Sequence, residues 1–304
     1  RKTTDRGHTW INQFSNTVHG INDIKFLTSK KGYSITDYGI VLNTTDAGRT
    51  WGADTLELGS NLSSLTFSDV NNGWILSDFL TIHQTSNGGT SWKKISKGST
   101  KLLYDISVID GSMAWVVGEG GTILHSNDSG KVWNIQNSNI SLDLFSVKFQ
   151  TDNLSALYGI AVGKNGTILK TVDQGNMWSG IPSLTTSDLN SIFSIGNHSW
   201  AVGMNGTILK SSDDGWNWSV QLFSDTTNLN AVFFIDKDFG WTVGEVGAIY
   251  KTIDGGINWI RKDSIFKNEL LDVYFINRDT GWFVGTNKTI LKTTDGGESW
   301  GGTN

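Results

Sequence analysis

A chain of 304 residues with 37% hydrophobic side chains, 14 Trp and 14 Phe is composed like a folded globular protein, and one proline beside 36 glycines excludes collagen-like and proline-rich disordered classes. A net charge of −5 with five arginines (Arg1, Arg6, Arg49, Arg261, Arg278) gives no basic footprint for nucleic acid, and no apolar run approaches the roughly 20 residues that span a bilayer. Zero cysteines exclude a disulfide framework, a thiolate metal site and a Cys nucleophile, while leaving the compartment open.

In chain order, one phrase repeats. An S/T-x-D-x-G-x-x-W box ends at Trp10, Trp51, Trp92, Trp133, Trp178, Trp218, Trp259 and Trp300, at intervals of 41, 41, 41, 45, 40, 41 and 41 residues. The box aspartates are Asp5, Asp46, Asp128, Asp173, Asp213, Asp254 and Asp295, with Asn87 in the third copy. A period of this size predicts a propeller with one four-stranded blade per repeat. Each unit begins with a short strand after the box Trp. It continues through an L-x-x-φ-x-F strand: Ile21–Phe26, Leu62–Phe67, Leu103–Val108, Leu144–Phe149, Leu189–Ser194, Leu229–Phe234 and Leu270–Phe275. Alternate side chains of such a strand share a face. A strand with Tyr33, Trp74, Trp115, Ile160, Trp200, Trp241 or Trp282 follows, usually ending in Val-Gly, then a turn and a GTILKT-type strand.

This parse places every tryptophan except Trp216. An aromatic at one fixed position per blade predicts packing between neighbouring blades, burying roughly 150–250 Å² each. In the box, the glycine supplies a positive φ and the carboxylate accepts backbone N–H groups of its own turn, so these aspartates are expected to be structural. Eight boxes accompany seven inner strands, which predicts an all-β, seven-bladed propeller in a single domain. Residues Trp10–Phe14 are expected to close against the last blade. A start without Met, inside a repeat, suggests a mature product or an excerpt of a longer protein.

The boxes resemble the Asp-box (BNR) repeats of sialidases and related propellers. The longer phrase at Gly240–Trp259 and Gly281–Trp300 is similar to the photosystem II stability/assembly factor family, and related repeats occur in secreted bacterial proteins. The resemblance covers the chain and implies the fold; its motif says little about function. A sialidase would need an arginine cluster and a Tyr/Glu nucleophile pair, and the arginines here occupy boxes, an outer strand and a first hairpin. The assembly-factor resemblance implies a basic, arginine-bearing partner face, whereas the matching face here is acid-rich.

That face is formed by the second-hairpin tips Asp37, Asp78, Glu119, Lys164, Met204, Glu245 and Thr286, with Tyr38 and Phe79 beside the first two and Asp143, Asp188 and Glu269 at the inner-strand entries. The ligand-bearing connections keep one length throughout: 11 residues from box Trp to inner strand and 18 from the second-strand aromatic to the box Trp. Clefts of enzymes are built from elongated loops. The expected function is therefore a non-catalytic binding or scaffolding module of an exported or cell-surface bacterial protein (periplasm possible), engaging a protein or glycan through Asp37, Tyr38, Asp78, Phe79, Glu119 and Glu245. One alternative is a glycoside hydrolase with two of these carboxylates roughly 5–10 Å apart. Another is a photosystem II assembly factor.

No cofactor or metal is expected. The histidines (His8, His19, His83, His125, His198) lack ligand spacing, and the glycine-rich turns lead into strands, where a phosphate loop would lead into a helix. Ten N-x-S/T triplets (Asn43, Asn61, Asn127, Asn139, Asn153, Asn165, Asn197, Asn205, Asn217, Asn287) would matter only in a secretory eukaryote.

Overall fold

Period-two strands with one dry face must pair and stack, and the computed structural model shows how. It describes residues 19–303 except positions 20, 29, 47–49, 57–58, 79–80, 97–100, 110, 152–156, 222–224, 263–266, 276, 280, 287–289, 294 and 300. Trp10–Phe14, Asp5 and Phe79 lie outside the described residues, so the expectations placed on them do too. The described chain forms two compact units, 19–143 and 144–303.

The first unit holds three four-stranded antiparallel sheets. They are β1 (Ile21–Phe26), β2 (Gly32–Thr36), β3 (Ile40–Thr44) and β4 (Gly52–Thr55); β5 (Leu62–Phe67), β6 (Gly73–Ser77), β7 (Thr81–Thr85) and β8 (Lys93–Ser96); and β9 (Leu103–Ile109), β10 (Met113–Gly118), β11 (Ile123–Ser126) and β12 (Asn134–Gln136). The second unit holds four. They are β13 (Leu144–Thr151), β14 (Leu157–Gly163), β15 (Ile168–Thr171) and β16 (Ser179–Gly180); β17 (Leu189–Ile195), β18 (His198–Gly203), β19 (Ile208–Ser211) and β20 (Ser219–Val220); β21 (Leu229–Phe234), β22 (Gly240–Gly244), β23 (Ile249–Thr252) and β24 (Ile260–Arg261); and β25 (Leu270–Phe275), β26 (Gly281–Gly285), β27 (Ile290–Thr293) and β28 (Gly301–Thr303).

Strands pair in sequence order within each sheet, the up-and-down blade of a β-propeller. The last sheet takes its fourth strand from Gly301–Thr303. Inner strands begin where the L-x-x-φ-x-F pattern begins, each with a register shift just after its first residue.

The second-strand aromatics bind one sheet to the next within each unit. Trp200 stacks on Phe234 at 3.6 Å between ring centroids and donates its indole N–H to the Gly255 carbonyl at 2.9 Å. Trp241 repeats this one sheet later, 3.5 Å from Phe275 and 3.4 Å from the Gly296 carbonyl. In the first unit the Tyr33 hydroxyl donates to the Gly88 carbonyl. Each donor reaches the box of the following sheet. Ile160 at the equivalent position has no donor; Lys170, only 2% exposed, donates to the Asp214 carbonyl in its stead. Its ammonium also lies 4.1 Å from the Tyr158 ring and 4.9 Å from Trp216.

Each box closes on itself. The Asp46, Asp128, Asp173, Asp213, Asp254 and Asp295 Oδ1 atoms accept the backbone N–H four residues on, at 2.9–3.0 Å. Each also accepts the Ser or Thr hydroxyl two residues before it. For Asp128, Asp173, Asp213, Asp254 and Asp295 that hydroxyl also accepts the N–H of the box glycine. These glycines (Gly130, Gly175, Gly215, Gly256, Gly297) lie at φ between +83° and +91°, a region costly for a residue with a Cβ. The S/T-x-D-x-G spacing is thus a hydrogen-bond circuit.

Candidate functional site

Five of the seven second strands end in glycine, and at four of these another backbone occupies the Cβ position. A Cβ on Gly118, Gly203, Gly244 or Gly285 would lie 1.9–2.0 Å from the carbonyl oxygen of Leu102, Asp188, Asn228 or Glu269, the residues entering the inner strands. The chain then turns through a single 3-10 turn at Glu119–Gly121, Lys164–Gly166, Met204–Gly206 and Glu245–Gly247, where the sequence predicted a simple hairpin turn. The middle residues Gly120, Asn165, Asn205 and Val246 are left-handed, φ +54° to +60°.

This geometry splits the acidic tips into two kinds. Asp78, Glu119 and Glu245 are engaged in the fold. Asp78 accepts the Asn61 N–H at 2.8 Å and returns its own N–H to the Asn61 carbonyl at 2.9 Å. Glu119 exchanges the same pair with Leu102. Glu245 accepts from the Asn228 side chain at 3.1 Å while its N–H reaches the Asn228 carbonyl. Asp37 is different: its half-exposed side chain lies 3.8 Å from His19 Nδ1, and His19 stacks on the 41%-exposed Tyr38 at 4.3 Å.

The entry residues bond to the backbone of the preceding turn. Asp143 accepts the Gly120 N–H at 2.7 Å, Asp188 the Asn165 N–H at 2.8 Å, and Asn228 the Asn205 N–H at 2.9 Å. Asn228 escapes a search for charged residues, though it stands where the neighbouring sheet has Asp188. Val246 also escapes notice: it occupies a left-handed position otherwise filled by Gly or Asn, and that break in the repeat is its signal. On the first unit, burial raises the Tyr104 phenol above its ordinary range, and the nearby charges of Asp143 and Glu119 raise it further. The face there is electronegative.

A buried tyrosine–carboxylate pair lies elsewhere. Tyr250 on β23, 1% exposed, donates to Asp225 in the crossover before β21, and Arg261 on β24 contacts both. Bonds from Thr227 and Tyr250 draw the Asp225 carboxyl down to about 2, and burial followed by the Asp225 bond pushes Tyr250 up to about 12. A nucleophilic tyrosine needs exposure and a lowered pKa, so this arrangement is a strut for the crossover. Arg278 pairs with Asp236 at 2.7 Å and covers Phe239. Neither arginine belongs to a second-hairpin tip.

Among the described residues no group of three or more His, Cys, Asp or Glu is placed to hold a metal, and no helix is long and apolar enough to cross a membrane.

The model of the photosynthesis system II assembly factor YCF48 family matches residues 2–102, 90–187 and 257–304. No curated protein matches. Among solved structures, the chain is similar to a YCF48 bound to D1 peptide (20% identity, 91% of this chain and 92% of that one, TM-score 0.71) and to YCF48 from Cyanidioschyzon merolae (21%, 90% and 95%, TM-score 0.69). A GH74 enzyme from Niastella koreensis is more distant, at 13% identity, 93% of this chain, 65% of that chain and a TM-score of 0.53. At these identities the structural likeness shows the fold, an all-β propeller.

Proposed function

The chain belongs to the photosynthesis system II assembly factor YCF48 family, and on that premise we propose that it is a non-catalytic assembly factor that holds a polypeptide segment of a partner protein. The observation that carries this is the family match, over most of the repeats. It favours the assembly-factor alternative over the broader reading of an exported scaffold. The D1 peptide in the related YCF48 structure supports a polypeptide as the partner class here. The tips are short and already hydrogen-bonded, which suits a rigid platform for an extended chain better than a cleft. An exported or cell-surface location is carried as part of the proposal, to be checked by cell fractionation.

The test is a titration of labelled D1 peptide into the purified chain, beside a screen of polysaccharides. Saturable peptide binding and no sugar release are expected. Sugar release abolished by Asp78→Asn, in protein that keeps its far-UV circular dichroism, would overturn the reading.

A further inference from the structure

We propose that the second-hairpin tips of the second unit form a preformed docking strip for an extended polypeptide with alternating cationic and apolar side chains. This rests on the protein-binding reading above.

Three large apolar side chains are exposed on or beside successive turns: Leu184 beside the first at 70% exposure, Met204 in the second at 41% and Val246 in the third at 55%. Leu184 lies in the crossover packed on the Lys164–Gly166 turn, where a Cβ at Gly166 would meet the Thr185 carbonyl at 2.1 Å. Leu184 and Val246 both have φ near +60°, a conformation that disfavours bulky and β-branched residues most. Apolar side chains left exposed on linked turns mark a contact surface.

The strip is rigid before anything binds. The Asn165 N–H reaches Asp188 Oδ1 at 2.8 Å and the Met204 N–H reaches the Asp188 carbonyl at 2.9 Å. The Asn205 N–H reaches Asn228 Oδ1 at 2.9 Å, and the Asn228 amide reaches Glu245 Oε1 at 3.1 Å. Each tip is therefore one residue away from the next, and docking orders little that is not already ordered.

Charge selects the occupant. Asp188, Glu245 and Glu269 have no cationic partner among the described residues, and Lys164 is the one cation among the four tip residues of this unit. Cationic side chains of a partner would supply the missing countercharges, with apolar ones seated on Leu184, Met204 and Val246. The same charge repels anionic lipid headgroups and nucleic acid. It also repels a second copy, which would bring the same acidic strip against itself.

The probe is a synthetic peptide alternating lysine and leucine, with a glutamate-for-lysine version as control and the D1 peptide in parallel. Val246→Asn installs a residue that accepts the left-handed turn, so the fold is retained; Glu245→Gln keeps the acceptor for Asn228 and removes the charge. Val246→Asn is expected to weaken lysine–leucine binding by roughly tenfold, the loss of one apolar anchor. Glu245→Gln is expected to weaken it and to flatten its salt dependence, and the glutamate peptide is expected not to bind. Unchanged affinity for the lysine–leucine peptide in both variants overturns the strip, even where D1 peptide still binds and the assembly-factor reading stands. Binding of neither peptide overturns both. Binding to anionic vesicles, or a dimer dissolved by Val246→Asn, overturns the choice of occupant.

Discussion

Trp241 is the sharpest test of how the sheets are joined. Its ring is fully buried, lies 3.5 Å from the parallel ring of Phe275 in the next sheet, and donates at 3.4 Å to the Gly296 carbonyl of that sheet's box. Burying roughly 150–250 Å² at about 25 cal/mol per Å² corresponds to about 4–6 kcal/mol, an upper bound because the unfolded chain is partly compact. Measured truncations of buried Trp or Phe to Ala cost about 3–5 kcal/mol, and we expect Trp241→Ala to fall there. Trp241→Phe keeps most of the stack and loses a long hydrogen bond with part of the ring, so about 1–2 kcal/mol is expected. Urea denaturation followed by far-UV circular dichroism measures both. A cost below about 1 kcal/mol for Trp241→Ala would refute the view that the second-strand aromatics join the sheets.

Two further outcomes follow from the same circuitry. Lys170→Met removes a charge-assisted bond to the Asp214 carbonyl and the ammonium contacts with Tyr158 and Trp216. A loss of about 2 kcal/mol is expected in urea titration. Lys210→Met should cost less than half of that, because Trp200 already supplies the link to the next box. Acid should weaken the fold through the boxes. In Asp295 burial opposes ionisation, but bonds from Ser299, Thr293 and Glu298 outweigh it and hold the carboxyl at about 2, against an ordinary 3.8. Asp128, Asp213 and Asp254 are lowered against the same burial, and in Asp173 the Met177 N–H is the leading cause. Because the folded pKa lies below the unfolded one, the stabilisation is fully present above about pH 4. It is lost as pH falls towards about 2. Asp295→Asn should make the decline in melting temperature across that window shallower; an unchanged slope would refute the assignment.

By itself the sequence determined the repeat, the start of every inner strand and the box. Those features are local: a period-two apolar pattern, a glycine that alone tolerates φ near +85°, and a carboxylate whose partners lie within four residues. What the acids on the second-hairpin face do was decided by tertiary structure. Asp78, Glu119 and Glu245 look alike as tips, yet their bonds run to residues 17 positions away, and Asp143 and Asp188 reach 23 positions to a preceding tip. Lys170 replacing an indole donor, and the exposure of Leu184, Met204 and Val246, depend likewise on what a neighbouring sheet places alongside. The chain order encodes each blade, while the roles of its edge residues are set by the blade that packs against it.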